Sequence, residues 1–163
     1  MDFLGAEKAF KKYLKNYNVE DGSIALKIRH TYEVVNKSEY IAKELKLDKE
    51  NIELAKIIAL LHDLGRFEQI KEFKEFNDKK IEHAEFGIKA LFEDELITTF
   101  IDDRKYDNII YKAIYNHNKF KIENDMNSKE LLHCKIIRDA DKVDIYYSLT
   151  IYSKEAVWES KDL

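Results

Sequence analysis

The 163-residue chain carries 28 Lys and Arg against 32 Asp and Glu, and its formal net charge is −4. This balance argues against a dedicated nucleic-acid binder, which usually has a basic excess on one face. Charged residues interrupt every apolar stretch before the roughly 18 to 20 residues of a membrane span, so no membrane partner is expected. The single cysteine, Cys134, and a start without signal-peptide character predict a cytoplasmic protein with no internal disulfide.

Domain organisation and fold class follow from the spacing of breakers and apolar residues. No linker, repeat or low-complexity segment divides the chain, so we predict a single domain over residues 1–163 with its core at about 23–150. The chain has no proline and four glycines. Apolar residues recur at helical spacing in several segments without sustained strand-like alternation, which predicts an all-α fold of long helices.

The first two predicted helices both bring histidine to their apolar side. The first covers about 23–45 and places His30 on its inward stripe. The second begins after Asp48, which is a suitable N-cap, and ends where Gly65 supplies a C-terminal stop. The His62-Asp63 pair closes this second helix.

The next two predicted helices each carry one more histidine. Asp78 is expected to cap the third helix, which holds His83 in its first turns and Gly87 where a neighbouring helix could approach closely. The fourth helix, at about 106–117, has a regular apolar stripe that ends at His117. Two stretches between helices are predicted to be long loops, at about 68–77 and 119–127.

The fifth predicted helix begins at Ser128 as N-cap and contains two candidate acidic ligands. Asp141 continues the buried stripe of Cys134 and Ile137, whereas Asp139 falls on a wetter face. Periodicity therefore favours Asp141. On the same helix, Cys134 is expected in the core, and His133, in a charged stretch near the cap, is expected to be exposed.

Six polar side chains are thus predicted to face one small core: His30, His62, Asp63, His83, His117 and Asp141. A single histidine on an apolar face is more often a hydrogen-bonded core residue. Six such groups together would carry a desolvation cost on the order of several kcal/mol unless they share a partner. A divalent metal is such a partner, and imidazole and carboxylate donors with a single cysteine indicate Mn, Fe, Co, Ni or Zn.

The number of ions remains open between one and two. If His30, His62, Asp63 and Asp141 bind one ion, positions remain for water and a substrate oxygen, as hydrolysis requires. The other two histidines, His83 and His117, then either hold a second ion bridged through Asp63 or contact the phosphate directly.

The order of His30, His62-Asp63 and Asp141 resembles the HD-domain superfamily of metal-dependent phosphohydrolases, whose signature is H…HD…D. The resemblance covers about 23–150 and rests on these segments: KIRHTYEVV, IIALLHDLGRFEQ, KKIEHAEFGIKAL, YKAIYNHNKF and KIIRDADKVDI. It implies a helical fold whose His, His-Asp and Asp ligands bind the metal that activates water against a phosphate ester. The implied substrate is a nucleotide or related small phosphorylated compound.

Within that superfamily, His83 and His117 look like the added ligands of the subgroup with two metals. However, Asn118 follows His117 where members acting on cyclic dinucleotides have a second histidine, and the GYP motif is missing. Alarmone hydrolases have an acidic pair shortly after HD, whereas this chain has only Glu68 there. These departures count against both activities.

Cationic residues near the proposed ligands are candidates for contact with phosphate. Arg66 and Lys142 are predicted to act with Asp63 in catalysis, and Arg66 and Lys80 to bind substrate, by neutralising phosphate charge. Most lysines in so charged a chain are simply solvated. Asp144, one turn after Asp141, either orients a ligand from behind or is a solvated acid.

Two other functions use the same ligand set. A di-iron centre with these ligands could activate oxygen, as in some relatives of the superfamily. A non-catalytic metal-binding regulatory module would keep the helical scaffold, although such modules usually lose ligands and this chain keeps the signature positions. An oligomer is also compatible with the sequence.

Overall fold

The structure is a computed structural model that describes residues 2–73, 76, 78 and 82–152. In that part of the chain the regular structure is helical and contains no strand, which confirms the all-α prediction. The α-helices are α1 (Phe3–Tyr13), α2 (Gly22–Glu44), α3 (Lys49–Leu61), α4 (Leu64–Phe73), α5 (His83–Ile88), α6 (Asp107–Asn116) and α7 (Ser128–Ile151). None of the described helices is long and apolar enough to cross a membrane.

Helix α3 is the central helix of the structure. Residues Ile57–Leu61 are each at most 1% exposed, as expected for a helix that is apolar on all sides. Helix α2 packs against α3 and α7, α6 packs against α7, and α5 packs against α4 and α6. The end of α3 therefore delivers the residues that follow it into the interior, between the helices that carry the other predicted site residues.

Side-chain caps fix where two of the site helices begin. The Asp48 carboxylate accepts the backbone N–H of Asn51 at 2.8 Å, which confirms the predicted cap of α3. The predicted cap of α7 is wrong, because Ser128 is the first helical residue and Asn127 caps the helix. Asn127 forms a reciprocal capping box with Glu130, which satisfies more free N–H groups than a lone serine would.

Gly65 serves close packing and does not end a helix. Helix α3 ends at Leu61, and Gly65 is the second residue of α4. A Cβ atom on Gly65 would lie 1.9 Å from the carbonyl oxygen of His83 and 2.6 Å from the amide nitrogen of Gly87. The close approach predicted at Gly87 is therefore present, with Gly65 as its partner, and the predicted helix stop at Gly65 is wrong.

One of the two predicted loops, at about 68–77, is helical over residues 68–73, and residues 74, 75 and 77 lie outside the described part of the chain. The segment at about 68–77 continues α4 as far as Phe73, because Phe67 is buried against the aromatic rings of Phe10 and Tyr17 and holds this charged helix to the core. The other prediction is confirmed, since residues 117–127 contain no helix.

Candidate metal centre

His62 occupies the most enclosed position of the predicted cluster. Its side chain is fully buried, and its Nδ1 lies 2.7 Å from the carbonyl oxygen of Ala59, which can only accept a hydrogen bond. Nδ1 therefore carries the proton, and Nε2 presents a lone pair that has no hydrogen-bond partner. A buried acceptor without a donor is unfavourable, and a cation bound at Nε2 would satisfy it.

The other three histidines of the cluster, His30, His83 and His117, are oriented in the same way. Each Nδ1 lies against an oxygen that accepts its proton: His30 against Asp144 at 2.6 Å, His117 against the carbonyl of Ile114 at 2.6 Å, and His83 against Asp78 at 3.0 Å. In the neutral ring, each Nε2 is then free of hydrogen. Outward hydrogen bonds of this kind fix the orientation of metal-binding imidazoles.

The carboxylate of Asp63 lies between two pairs of histidines. Its Oδ2 is 3.7 Å from Nε2 of His30 and 3.8 Å from Nε2 of His62. Its Oδ1 is 3.4 Å from Nε2 of His83 and 3.7 Å from Nε2 of His117. Asp63 could therefore donate one oxygen to each of two ions.

Asp141 completes the first of these groups. Its Oδ1 lies 3.2 Å from Nε2 of His30 and 3.8 Å from Nε2 of His62. The ligand atoms of His30, His62 and Asp141 all lie within 4.8 Å of one another. In the second group, Nε2 of His83, Nε2 of His117 and Oδ1 of Asp63 lie 3.1 to 3.7 Å apart. Two adjoining groups of donors could thus each hold a metal ion.

The contact between His83 and His117 supports a cation in the second group. Their Nε2 atoms lie 3.1 Å apart, while both Nδ1 atoms are engaged as donors. In the neutral rings, two lone pairs would face each other at this distance. A proton or a metal ion between them removes the repulsion.

The charges of the cluster favour cation binding. Burial disfavours ionisation of Asp63, but the nearby charge of Lys27 and that of His62 hold its pKa well below the usual value. Burial likewise opposes ionisation of Asp141, but its contact with His30 holds its pKa low. Burial also opposes the charged form of His30, yet Asp141 and Asp144 raise its pKa, so a metal ion bound at Nε2 would displace a proton there. Burial also lowers the pKa of His62 and of His83 to about 4. Ionised carboxylates and neutral imidazoles are the forms that bind metals.

The structure gives the predicted cations different surroundings. Arg66 makes two 2.9 Å hydrogen bonds to Asp78, the residue that holds His83, so its charge is already paired with that carboxylate. The Nζ atom of Lys142 lies 2.7 Å from Oδ2 of Asp141, and its side chain is 46% exposed at the rim. Lys80 lies outside the described residues.

Three features of the site differ from, or add to, the sequence analysis. Asp78 does not occupy the N-cap position of α5, which begins at His83, but its carboxylate accepts the backbone N–H of His83 from five residues away. Asp144 is fully buried behind His30, so it is not a solvated acid. Lys27 was missed, although it lies three residues before His30 and therefore on the same helical face.

Two other polar residues of α7, Asp139 and His133, are not part of the cluster. Asp139 is exposed, whereas Asp141 is 4% exposed and faces the cluster. His133 is only 1% exposed, so the prediction of an exposed side chain is wrong. It is buried because α7 packs on α3 there, and its Nε2 lies 3.2 Å from Oδ1 of Asn51.

Comparison with known proteins gives one match. A family model described as an HD domain matches residues 28–146, which is more than half of the chain and includes the whole cluster. No curated protein and no solved structure matches the chain significantly.

Proposed function

Because this chain belongs to the HD-domain family, we propose that it is a metal-dependent phosphohydrolase acting on a nucleotide or related small phosphorylated compound. One observation carries the proposal. The Nε2 atoms of four buried histidines converge on the ionised carboxylates of Asp63 and Asp141. Such a set of nitrogen and oxygen donors suits Mn, Fe, Co, Ni or Zn.

In this proposal, His30, His62, Asp63 and Asp141 would hold one ion. A divalent transition metal bound there supplies Lewis-acid chemistry, since it lowers the pKa of a coordinated water and polarises a phosphoryl oxygen. The chain keeps the imidazoles in place through their Nδ1 hydrogen bonds and surrounds them with buried helices. Lys142, which is partly exposed beside Asp141, would offset negative charge on the phosphate.

His83 and His117 would hold a second ion together with Asp63. The 3.1 Å approach of their Nε2 atoms and the position of Asp63 Oδ1 beside both of them support this assignment. With a second ion held there, the site would supply additional charge stabilisation to the oxygens of the phosphoryl group.

A panel of phosphate compounds, assayed with Mn, Co, Ni, Mg and Fe, tests the proposed function. We expect phosphate release that a chelator abolishes and added metal restores. Asp63→Ala, purified in parallel as the control for contaminating phosphatases, should reduce release on the order of a thousandfold or more. Release from none of the compounds would overturn the proposal, and oxygen consumption by the iron-loaded protein would indicate oxidative chemistry in its place.

A further inference from the structure

Lys27 is a nearly buried cation at the edge of the candidate metal centre. Its side chain is 14% exposed, and its Nζ lies 3.5 Å from Oδ2 of Asp63. Since this is the carboxylate oxygen that also faces His30 and His62, the ammonium group borders the group of donors that includes Asp141. Lys27 lies on α2 one turn before His30, so the helix that orients His30 also positions Lys27.

Lys27 is more loosely paired than the other cations around the cluster. The guanidinium of Arg66 is held by both oxygens of Asp78, and Lys142 lies 2.7 Å from Asp141. Arg29 and Lys37 both lie 3.1 Å from Asp144, behind His30. By contrast, the contact of Lys27 with Asp63 is at the limit of a hydrogen bond, and its Nζ lies 6.0 Å from the centroid of the Phe76 ring, which offers no hydrogen-bonding oxygen or nitrogen. An ammonium group has three donors, so most of its hydrogen-bonding capacity is open to a further acceptor.

The balance of charge indicates what that acceptor is. The carboxylates of Asp63 and Asp141 together offset the charge of one divalent ion at most. Whether the cluster holds one ion or two, the ammonium groups of Lys27 and Lys142 are therefore left without a matching charge. A cation as little exposed as Lys27 is stabilised by an anion that hydrogen-bonds to it. The dianionic group of a phosphate monoester offsets both lysines, whereas a phosphodiester carries a single negative charge.

We propose that Lys27 binds the phosphoryl group of the substrate and that this substrate is a phosphate monoester. The proposal rests on the proposed function and specifies which phosphate esters the site takes. Lys27 thus acts as a substrate-binding residue. Its ammonium group contacts Asp63 when no phosphate is bound.

Lys27→Met tests this role because methionine keeps the length of the side chain and removes its charge. Lys27→Arg keeps the charge, and Lys43→Met is the matched control, since Lys43 is an exposed lysine on the same helix paired with Glu39. The first readouts are metal content and the affinity of the Mn-loaded protein for inorganic phosphate, measured by titration calorimetry. We expect Lys27→Met to keep its metal and to bind phosphate about 10- to 100-fold more weakly. Lys27→Arg should restore most of the affinity, and Lys43→Met should match the wild type.

Unchanged phosphate affinity in Lys27→Met would overturn the inference. Loss of metal in this variant would also overturn it, because Lys27 would then be only a counter-ion that positions Asp63.

The second readout compares the hydrolysis of p-nitrophenyl phosphate, a monoester, with that of bis(p-nitrophenyl) phosphate, a diester. A wild-type preference for the diester would overturn the monoester assignment. Failure of the proposed function gives a different result. The wild type would then hydrolyse neither ester, while the phosphate titration would still decide whether Lys27 binds the anion.

Discussion

Asp144 holds His30 from behind, with its Oδ2 2.6 Å from Nδ1 of His30. The carboxylate is fully buried, and its own charge is balanced by Arg29 and Lys37, each at 3.1 Å. Burial disfavours ionisation of Asp144, but the hydrogen bond from His30, together with the neighbouring positive charges of Lys37 and Arg29, outweighs it and lowers the pKa to about 2. A carboxylate in this position fixes the imidazole and makes Nε2 a stronger ligand.

We therefore expect Asp144→Asn to bind metal about 10- to 100-fold more weakly while retaining its helical circular dichroism spectrum. Asp139→Asn is the matched control, because Asp139 is an exposed acid on the same helix. A competition titration with a chromogenic chelator measures the affinity. Equal affinities in the two variants would show that Asp144 does not support His30 in this way.

Gly65→Ala should destabilise the protein because neither neighbour of the new methyl group is free to move. The Cβ atom would meet the backbone of His83 at 1.9 Å and that of Gly87 at 2.6 Å. Overpacking of this kind costs about 1 to 3 kcal/mol of unfolding free energy, and more where backbone must shift. Gly22→Ala, where no atom lies within 4 Å of the new Cβ, should change the stability by less than about 0.5 kcal/mol. Urea unfolding of both variants gives the comparison, and equal stabilities would contradict it.

His133 should make the stability of the fold depend on pH. Burial lowers its pKa from 6.5 to about 4, so between these values the unfolded chain binds a proton that the folded chain does not. The free energy of unfolding therefore falls as pH falls through this window, and the contribution is complete above about pH 6.5. Between pH 7.5 and pH 5, His133 should account for a loss of about 2 kcal/mol.

His133→Gln removes this proton while keeping an amide donor for Asn51. The difference in unfolding free energy between the wild type and His133→Gln should then shift by about 2 kcal/mol in favour of the variant from pH 7.5 to pH 5. Other titrating groups cancel in this comparison. A difference that stays constant with pH would mean that His133 titrates normally in the folded state.

His83 and His117 are expected to bind a second ion, which predicts a stoichiometric change. Replacing either residue with Ala should lower the metal content by about one equivalent and reduce activity steeply, because the pair of ions acts together on the phosphoryl group. If these residues only touch the phosphate, the metal content stays at the wild-type value. Activity would then fall by roughly a hundredfold, as expected for one lost charge-stabilising donor. Elemental analysis of the two variants separates these outcomes.

Helical periodicity predicted much of the cluster from the sequence. His30, His117 and Asp141 each extend an apolar stripe, and the structure buries all three side chains. The same periodicity distinguished Asp141 from the exposed Asp139. Lys27 was open to the same reasoning, because a position three residues before His30 shares its face.

Other features depend on tertiary contacts that periodicity does not encode. Gly65 has the local signature of a helix stop, but its role is set by the backbone of α5, which lies far along the chain. Arg66 is close in sequence to the His62-Asp63 pair, yet its partner is Asp78, which lies 12 residues further along the chain. Helical spacing does not link the two residues. The burial of His133 likewise depends on how α7 packs against α3.

Metal content measured on the 163-residue chain tests the central claim most directly. The protein is prepared without chelator, resupplied in turn with Mn, Fe, Co, Ni and Zn, and freed of unbound metal before elemental analysis. We predict about one or two equivalents per chain for the wild type, and a marked loss in Asp63→Ala at an unchanged helical circular dichroism spectrum. Less than about a tenth of an equivalent of every metal in the folded wild type would contradict the assignment of this cluster as a metal centre.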